Sequence, residues 1–306
     1  MRMKLFRNIT ASLGVTMILF SAVPYSRAEI VIEPLFEYPS APDSIVQLNE
    51  RSNFLMRHFW DRLDFKQKKT VDQNALNDAF SVYVAAMRFA DADEADGSVT
   101  NLLEKTAKNP ALAIQFTRAA EEALYGPRAE VWSDGIYLRF TEALLKNKKV
   151  SDDRKLRFRR HATLLRNSMQ GAVPPEFDYE TPVGSVAHYS PNGVVTLIEF
   201  GDPDCDECRM AKLKLETNVS FNNLLDRGLV NVLFIIPDAA EGWNTLVADY
   251  SPKWHVGASD TVADLFDMRA VPSIYVIDRE GKVAAKNVTV EQAMQIVSDN
   301  VPSQAQ

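Results

Sequence analysis

One stretch, residues 193–215, constrains the fold of this chain more than any other: GVVTLIEFGDPDCDECRMAKLKL. Its first part, Val194–Phe200, is apolar and rich in β-branched residues, which predicts a buried strand. A Gly-Asp-Pro tripeptide ends that strand, and apolar residues then recur every three or four positions, which predicts a helix. Cys205 and Cys208, the only two cysteines, therefore lie where a strand passes into the first turn of a helix.

This position has chemical consequences for the two thiols. The free N–H groups at a helix N-terminus favour negative charge, so a cysteine there forms a thiolate more readily. A second cysteine one turn later can resolve a mixed disulfide. A bond between residues three apart closes almost no loop and adds little stability, so a redox-active dithiol is a better interpretation than a structural disulfide. A zinc site needs further ligands and the four histidines are scattered, so we predict neither a metal nor a cofactor.

Two features beyond the dithiol identify a known architecture. An acid, Glu199, lies within the predicted strand, and Pro272 immediately precedes another, Ser273–Ile277. The predicted order of elements is strand, helix, strand, helix, strand, strand, helix. Within this order, residues 243–255 are expected to be an irregular segment, and residues 260–268 to be the helix before the proline-led strand. At these residues the chain resembles the thioredoxin superfamily over about residues 174–299.

The resemblance assigns expected roles to four residues. It implies that Cys205 is the nucleophile and Cys208 the resolving thiol of a protein thiol–disulfide oxidoreductase. It also implies that Pro272 follows a cis peptide bond and shapes a peptide groove beside the dithiol. Glu199 is expected to be buried under the sulfur atoms and to relay a proton to or from Cys208. The expected partners are proteins that carry thiols or disulfides, together with a redox partner.

The chain departs from this superfamily around the first cysteine. Asp204 replaces the usual tryptophan, and Asp206 and Glu207 replace the usual Gly-Pro pair. Negative charge there disfavours a thiolate, although Arg209 can offset part of the effect. We therefore expect a reductase rather than an oxidase. The same acids leave open a second interpretation, a thioredoxin-like binding or scaffolding protein without catalysis. A capping box, with Asp204 as N-cap and Glu207 at N3, is also predicted.

The N-terminus predicts export. Three basic residues within the first seven precede an apolar run, residues 9–23, and small residues at 26 and 28 suit a cleavage site. We interpret residues 1–28 as a Sec signal peptide of a periplasmic or otherwise exported protein. No cysteine directly follows the apolar run, so a lipoprotein is excluded. The alternative is an uncleaved anchor, but the run is short for a stable membrane span.

Residues 29–170 are predicted to form an all-α domain of unknown function, and residues 171–306 the α/β thioredoxin-like domain with a central mixed sheet and flanking helices. Helical periodicity indicates about six helices, which we place at 44–63, 72–87, 98–108, 111–125, 130–146 and 152–169. Asp43 or Ser44 can cap the first of them, and Asp72 the second. The segment 50–65 resembles an uncharacterised helical family that precedes secreted thioredoxin-like domains in gut-type bacteria. That family has no assigned chemistry.

The charge balance argues against nucleic acid as a partner. The formal net charge is −7, and removal of residues 1–28, with four basic residues and no acids, lowers it to −11. One basic cluster, residues 146–160, interrupts this acidity. It is either a solvated helix face or a dock for an acidic partner.

Overall fold

A computed structural model describes residues 34–301 except positions 68 and 128. The predicted signal peptide, residues 1–28, lies outside the described residues. The first part of the described chain is all-α, as predicted. Its helices are α1 (Leu48–His58), α2 (Gln73–Met87), α3 (Ala92–Ala107), α4 (Pro110–Leu124), α5 (Asp134–Lys146) and α6 (Asp152–Ser168).

Local capping explains where several of these helices begin. The predicted cap of α2 is confirmed, because the Asp72 carboxylate accepts the Ala75 N–H at 2.9 Å. The start of α1 was predicted too early. The Ile45 N–H instead donates to the Pro42 carbonyl in a turn, and α1 begins only at Leu48. The helix predicted from residue 130 likewise begins later, at Asp134.

The helical region has an aromatic core. Phe59, Trp60, Phe80, Tyr83 and Phe116 are buried. Their rings meet mostly edge to face or tilted, and the centroids of Phe59 and Trp60 are 4.8 Å apart. Trp60 is therefore a packing residue of the helical core.

The second part of the described chain is built on a seven-stranded mixed sheet. The strands are β1 (Phe177–Glu180), β2 (Val186–Tyr189), β3 (Val195–Phe200), β4 (Val230–Ile236), β5 (His255–Ala258), β6 (Ser273–Ile277) and β7 (Val283–Lys286). Their order in the sheet is β2-β1-β5-β4-β3-β6-β7, and β3 pairs in parallel with β4 and antiparallel with β6. The helices are α7 (Asp206–Thr217), α8 (Val219–Asp226), α9 (Trp243–Leu246) and α10 (Val290–Asn300).

Two local predictions in this region were wrong. The irregular segment expected at residues 243–255 contains α9 and leads into β5, a strand stabilised by parallel pairing with β4. The helix expected at residues 260–268 is only a 3₁₀ turn, Val262–Asp264. The N–H of Asp267 donates instead to the Ser168 hydroxyl at 3.2 Å, which joins this segment to the end of α6.

Alternation along β3 determines what the dithiol helix covers. Val195 and Leu197 pack in one cluster with Ala211 and Leu215 of α7. Residues 196, 198 and 200 face the opposite side of the sheet. In the described part of the chain, no helix is both long enough and apolar enough to cross a membrane.

Candidate active site

The dithiol lies at the start of α7, as the sequence predicted. Cys205 is half-buried and forms the N-cap, and its Sγ accepts the Cys208 N–H at 3.3 Å. Cys208 is fully buried, on the same face of α7 as Ala211 and Leu215. The predicted capping role of Asp204 was wrong, since the Asp204 N–H donates to the Asp202 carboxylate at 2.9 Å in the preceding turn. The acceptor at the N-cap of α7 is the Cys205 sulfur and not a carboxylate oxygen of Asp204.

The acids around Cys205 have different partners. The Cys205 thiol donates to the Glu207 carboxylate, with 3.4 Å between Sγ and Oε2. Arg209 forms an ion pair with Asp206 and donates to the Asp204 carbonyl at 3.0 Å. The cation expected to compensate the acids therefore neutralises Asp206, while the Glu207 carboxylate remains beside the sulfur.

Cys208 is chemically distinct from its neighbour. Burial raises the pKa of the Cys208 thiol to about 12, and a hydrogen bond with Cys205 and the nearby Glu199 act in the same direction. Space for this sulfur depends on Gly201, where an added Cβ would lie 3.0 Å from the Cys208 Sγ. From the sequence, this glycine was interpreted only as the end of a strand.

Glu199 is fully buried at the centre of the sheet, level with Phe234 on β4 and Ile274 on β6. It shares the face of Val195 and Leu197, which is the face covered by α7. Among the described residues, neither of its carboxyl oxygens has a hydrogen-bond partner. Burial raises the pKa of Glu199 to about 8. At neutral pH its carboxyl group is therefore mostly protonated, with a minor ionised fraction.

The Val271–Pro272 peptide bond is cis, which confirms that prediction. Pro272 borders a groove of about 580 Å³ that also touches Glu207 and Met210 of α7. Val271 is 68% exposed at its rim. The structure thus brings the proline loop and the dithiol helix to one surface.

A buried charge network lies behind the proline loop. Asp267 is 1% exposed and binds Arg269 at 2.7 Å and Lys286 at 2.5 Å. Arg269 also reaches Asp134 of α5 at 2.5 Å and the Tyr125 carbonyl at 3.1 Å. These contacts join the helical region to the loop that carries Pro272. They could not be predicted from the sequence, because no spacing relates residues so far apart in the chain.

Trp132 is a further residue that the sequence analysis missed. It lies in the loop between α4 and α5 and borders the same groove as Pro272. Trp132 is 37% exposed, and the Arg269 guanidinium lies 4.7 Å from a ring centroid of this residue. The helical region therefore contributes an aromatic wall to a groove that Glu207, two residues after Cys205, also borders.

A metal site was not predicted, and the basic cluster gains no support for a separate function. The part of the chain described here contains no cluster of three His, Cys, Asp or Glu that could hold a metal ion. In the basic cluster, Arg157, Arg159 and Arg160 pair with Glu121, Asp152 and Asp264. Acids of the chain itself therefore pair with three of the eight cations in this cluster.

Comparisons with known proteins agree with this architecture. The family model described as "Domain of unknown function (DUF5106)" matches residues 8–168. A thioredoxin-like protein from Bacteroides caccae ATCC 43185 superposes with a TM-score of 0.69 at 20% identity, covering 86% of this chain and 98% of that chain. This likeness shows the fold, including both the helices and the thioredoxin-like sheet.

Two smaller structures match about two fifths of the chain. A conserved protein of unknown function from Bacteroides fragilis is 30% identical over 42% of this chain and 98% of its own, with a TM-score of 0.40. The C-terminal domain of a protein from Bacteroides thetaiotaomicron, provisionally named a thiol–disulfide oxidoreductase, is 18% identical over 44% of this chain and 99% of its own, with a TM-score of 0.37. No curated protein matches the chain.

Proposed function

Because this chain belongs to the DUF5106 family, which is defined by a domain of unknown function, we propose that its activity resides in the thioredoxin-like region that follows. That activity is protein thiol–disulfide exchange through Cys205 and Cys208. The observation that carries the proposal is the asymmetry of the two thiols. Cys205 is half-buried at a helix N-terminus and accepts an N–H, whereas Cys208 is fully buried with a raised pKa. This is the arrangement that a nucleophile and a resolving thiol require.

The exchange proceeds in two steps. The Cys205 thiolate attacks one sulfur of a substrate disulfide, which forms a mixed disulfide and releases the other substrate sulfur as a thiolate that takes up a proton. Cys208 then loses its proton and attacks the Cys205 Sγ. The Cys205–Cys208 bond forms, and the second substrate thiol leaves. The substrate has gained two electrons from the enzyme. A dithiol reductant must then supply two electrons to reduce the Cys205–Cys208 disulfide again.

Glu199 serves the second step. The Cys208 thiol is a poor nucleophile until it loses its proton, and its raised pKa makes that loss difficult. With a pKa of about 8, Glu199 is partly ionised near neutral pH and can accept this proton. Pro272 has the complementary role of shaping the groove in which an extended substrate segment lies.

The direction proposed is reduction of substrates. The N–H of Cys208 favours negative charge on the Cys205 sulfur, but the Glu207 carboxylate opposes it. A strong oxidant requires a stabilised reduced form, and this carboxylate works against that stabilisation. We further propose that the protein is exported, on the basis of residues 1–28, and works in an oxidising compartment such as the periplasm.

The test is reduction of insulin by dithiothreitol in the presence of the protein. We expect wild type to accelerate the reaction and Cys205→Ser to abolish the acceleration. Cys208→Ser is the matched variant, since it keeps the attacking thiol and should accumulate a mixed disulfide visible by mass spectrometry. Equal rates for wild type and Cys205→Ser would replace this proposal with the non-catalytic scaffolding function.

A further inference from the structure

The groove beside the dithiol has walls from both regions of the chain. The thioredoxin-like region contributes α7 through Met210, the proline loop through Val271 and Pro272, and the loop before α10 through Val288. The helical region contributes Trp132. An apolar surface with one aromatic wall suits an apolar side chain of a substrate.

Trp132 is held in place before any substrate arrives. Its Nε1–H donates to the Gly126 carbonyl at 3.1 Å, within its own loop. Arg269 lies beside the ring and is itself fixed by Asp134 and Asp267. The indole therefore keeps little rotational freedom to lose on binding, which lowers the entropic cost of a contact with substrate.

Trp132 supplies an aromatic side chain that the residues next to Cys205 lack. The residue before Cys205 is Asp204, so α7 itself offers no aromatic side chain next to the nucleophile. Among the described residues, neither Asp204 nor Glu207 forms an ion pair with a cation, whereas Asp206 pairs with Arg209. The surface near Cys205 therefore combines an apolar groove with two uncompensated negative charges.

We propose that Trp132 is a specificity-determining residue of the exchange reaction, which makes the helical region part of the substrate site. The occupant is an extended protein segment whose disulfide cysteine is flanked by an apolar residue, which packs on Trp132, and by a basic residue, which faces Glu207. This inference rests on the proposed function, because Trp132 acts through the contact it makes with a substrate of Cys205.

The test compares two disulfides. One is a linear peptide whose cysteine, flanked by leucine and arginine, is linked to a second copy by a disulfide. The other is 2-hydroxyethyl disulfide, which has no apolar side chain that could pack on Trp132. We expect Trp132→Ala to lower kcat/KM for the peptide about tenfold, mainly through KM, and to leave the small disulfide unchanged. Trp132→Phe should retain most of the peptide activity. Phe89→Ala, at an aromatic residue that is 51% exposed and does not line the groove, is the matched control.

A binding measurement separates this inference from the proposed function. A fluorescein-labelled version of the peptide, with serine for cysteine, is titrated with wild type and Trp132→Ala, and its anisotropy gives Kd without any covalent step. Weaker binding by Trp132→Ala supports the inference even if wild type reduces neither disulfide, in which case the proposed function fails alone. Equal Kd values, or an equal loss of activity on both disulfides, would overturn the role of Trp132.

Discussion

Two buried carboxylates, one behind the proline loop and one beneath the dithiol, have opposite environments. Asp267 is 1% exposed and is paired with Arg269 and Lys286. Glu199 is fully buried, yet among the described residues nothing hydrogen-bonds to its oxygens. A buried charge with partners can hold two regions together, whereas a buried acid without partners destabilises the fold when it ionises. The comparison assigns a structural role to Asp267 and supports a proton-transfer role for Glu199.

The largest expected effect comes from breaking the paired site. Asp267→Asn removes the main carboxylate between two buried cations, and we expect the free energy of unfolding to fall by about 3–5 kcal/mol. Urea denaturation followed by tryptophan fluorescence measures this change. Asp264→Asn is the matched control, since its ion pair with Arg160 is exposed and should contribute less than about 1 kcal/mol. Equal losses for both variants would contradict the structural role of Asp267.

Neutralising the unpaired carboxyl group of Glu199 should raise the free energy of unfolding, and the size of this rise should depend on pH. The pKa of Glu199 is about 8 in the folded protein, above its ordinary value of 4.5. The folded state therefore holds this proton more tightly than the unfolded state, and wild type loses stability as pH rises from about 4.5 to about 8. Glu199→Gln removes that loss. Its stability relative to wild type should rise across this window, by on the order of a few kcal/mol at pH 8.

Thermal unfolding at pH 5, 6.5 and 8 tests this prediction. Glu180→Gln, which removes an exposed carboxylate on β1, is the matched control and should show no such trend. In kinetics, Glu199→Gln should slow resolution of the mixed disulfide while the first attack by Cys205 is unchanged. A stability difference between Glu199→Gln and wild type that does not change with pH would show that Glu199 is not held in a raised-pKa environment.

The smallest effect concerns a third carboxylate, which is exposed. Glu207→Gln removes negative charge beside the Cys205 sulfur, so the reduced form is stabilised and the reduction potential becomes less negative. Screening by water and salt limits the change to about 1 kcal/mol, or about 20 mV for a two-electron couple. Equilibration with glutathione measures the potential. Asp206→Asn should shift it less, because Arg209 already neutralises that charge. A shift to a more negative potential would contradict the proposed direction.

The prediction from sequence was most successful where local pattern determines structure. The strand–dithiol–helix passage, the cap at Asp72 and the cis bond before Pro272 all agree with the structure. It failed where long-range pairing or a competing hydrogen bond decides, as in β5, in the 260–268 segment and at the N-cap of α7. The domain boundaries near residues 28 and 170 stay predictions.

The sequence by itself determined the chemistry available to this protein. Short spacings identify the two cysteines at a strand-to-helix junction and the acid within that strand. A proline immediately before a later strand completes the set. Period-two and period-3.6 patterns predict which of these residues lie on strands and which on helices. Tertiary structure alone decided what surrounds them. Burial raises the pKa of Glu199, Gly201 makes room for the Cys208 sulfur, and Arg269 holds Trp132 against the groove. These effects depend on desolvation and contact between residues distant in the chain, and no local pattern encodes such distances.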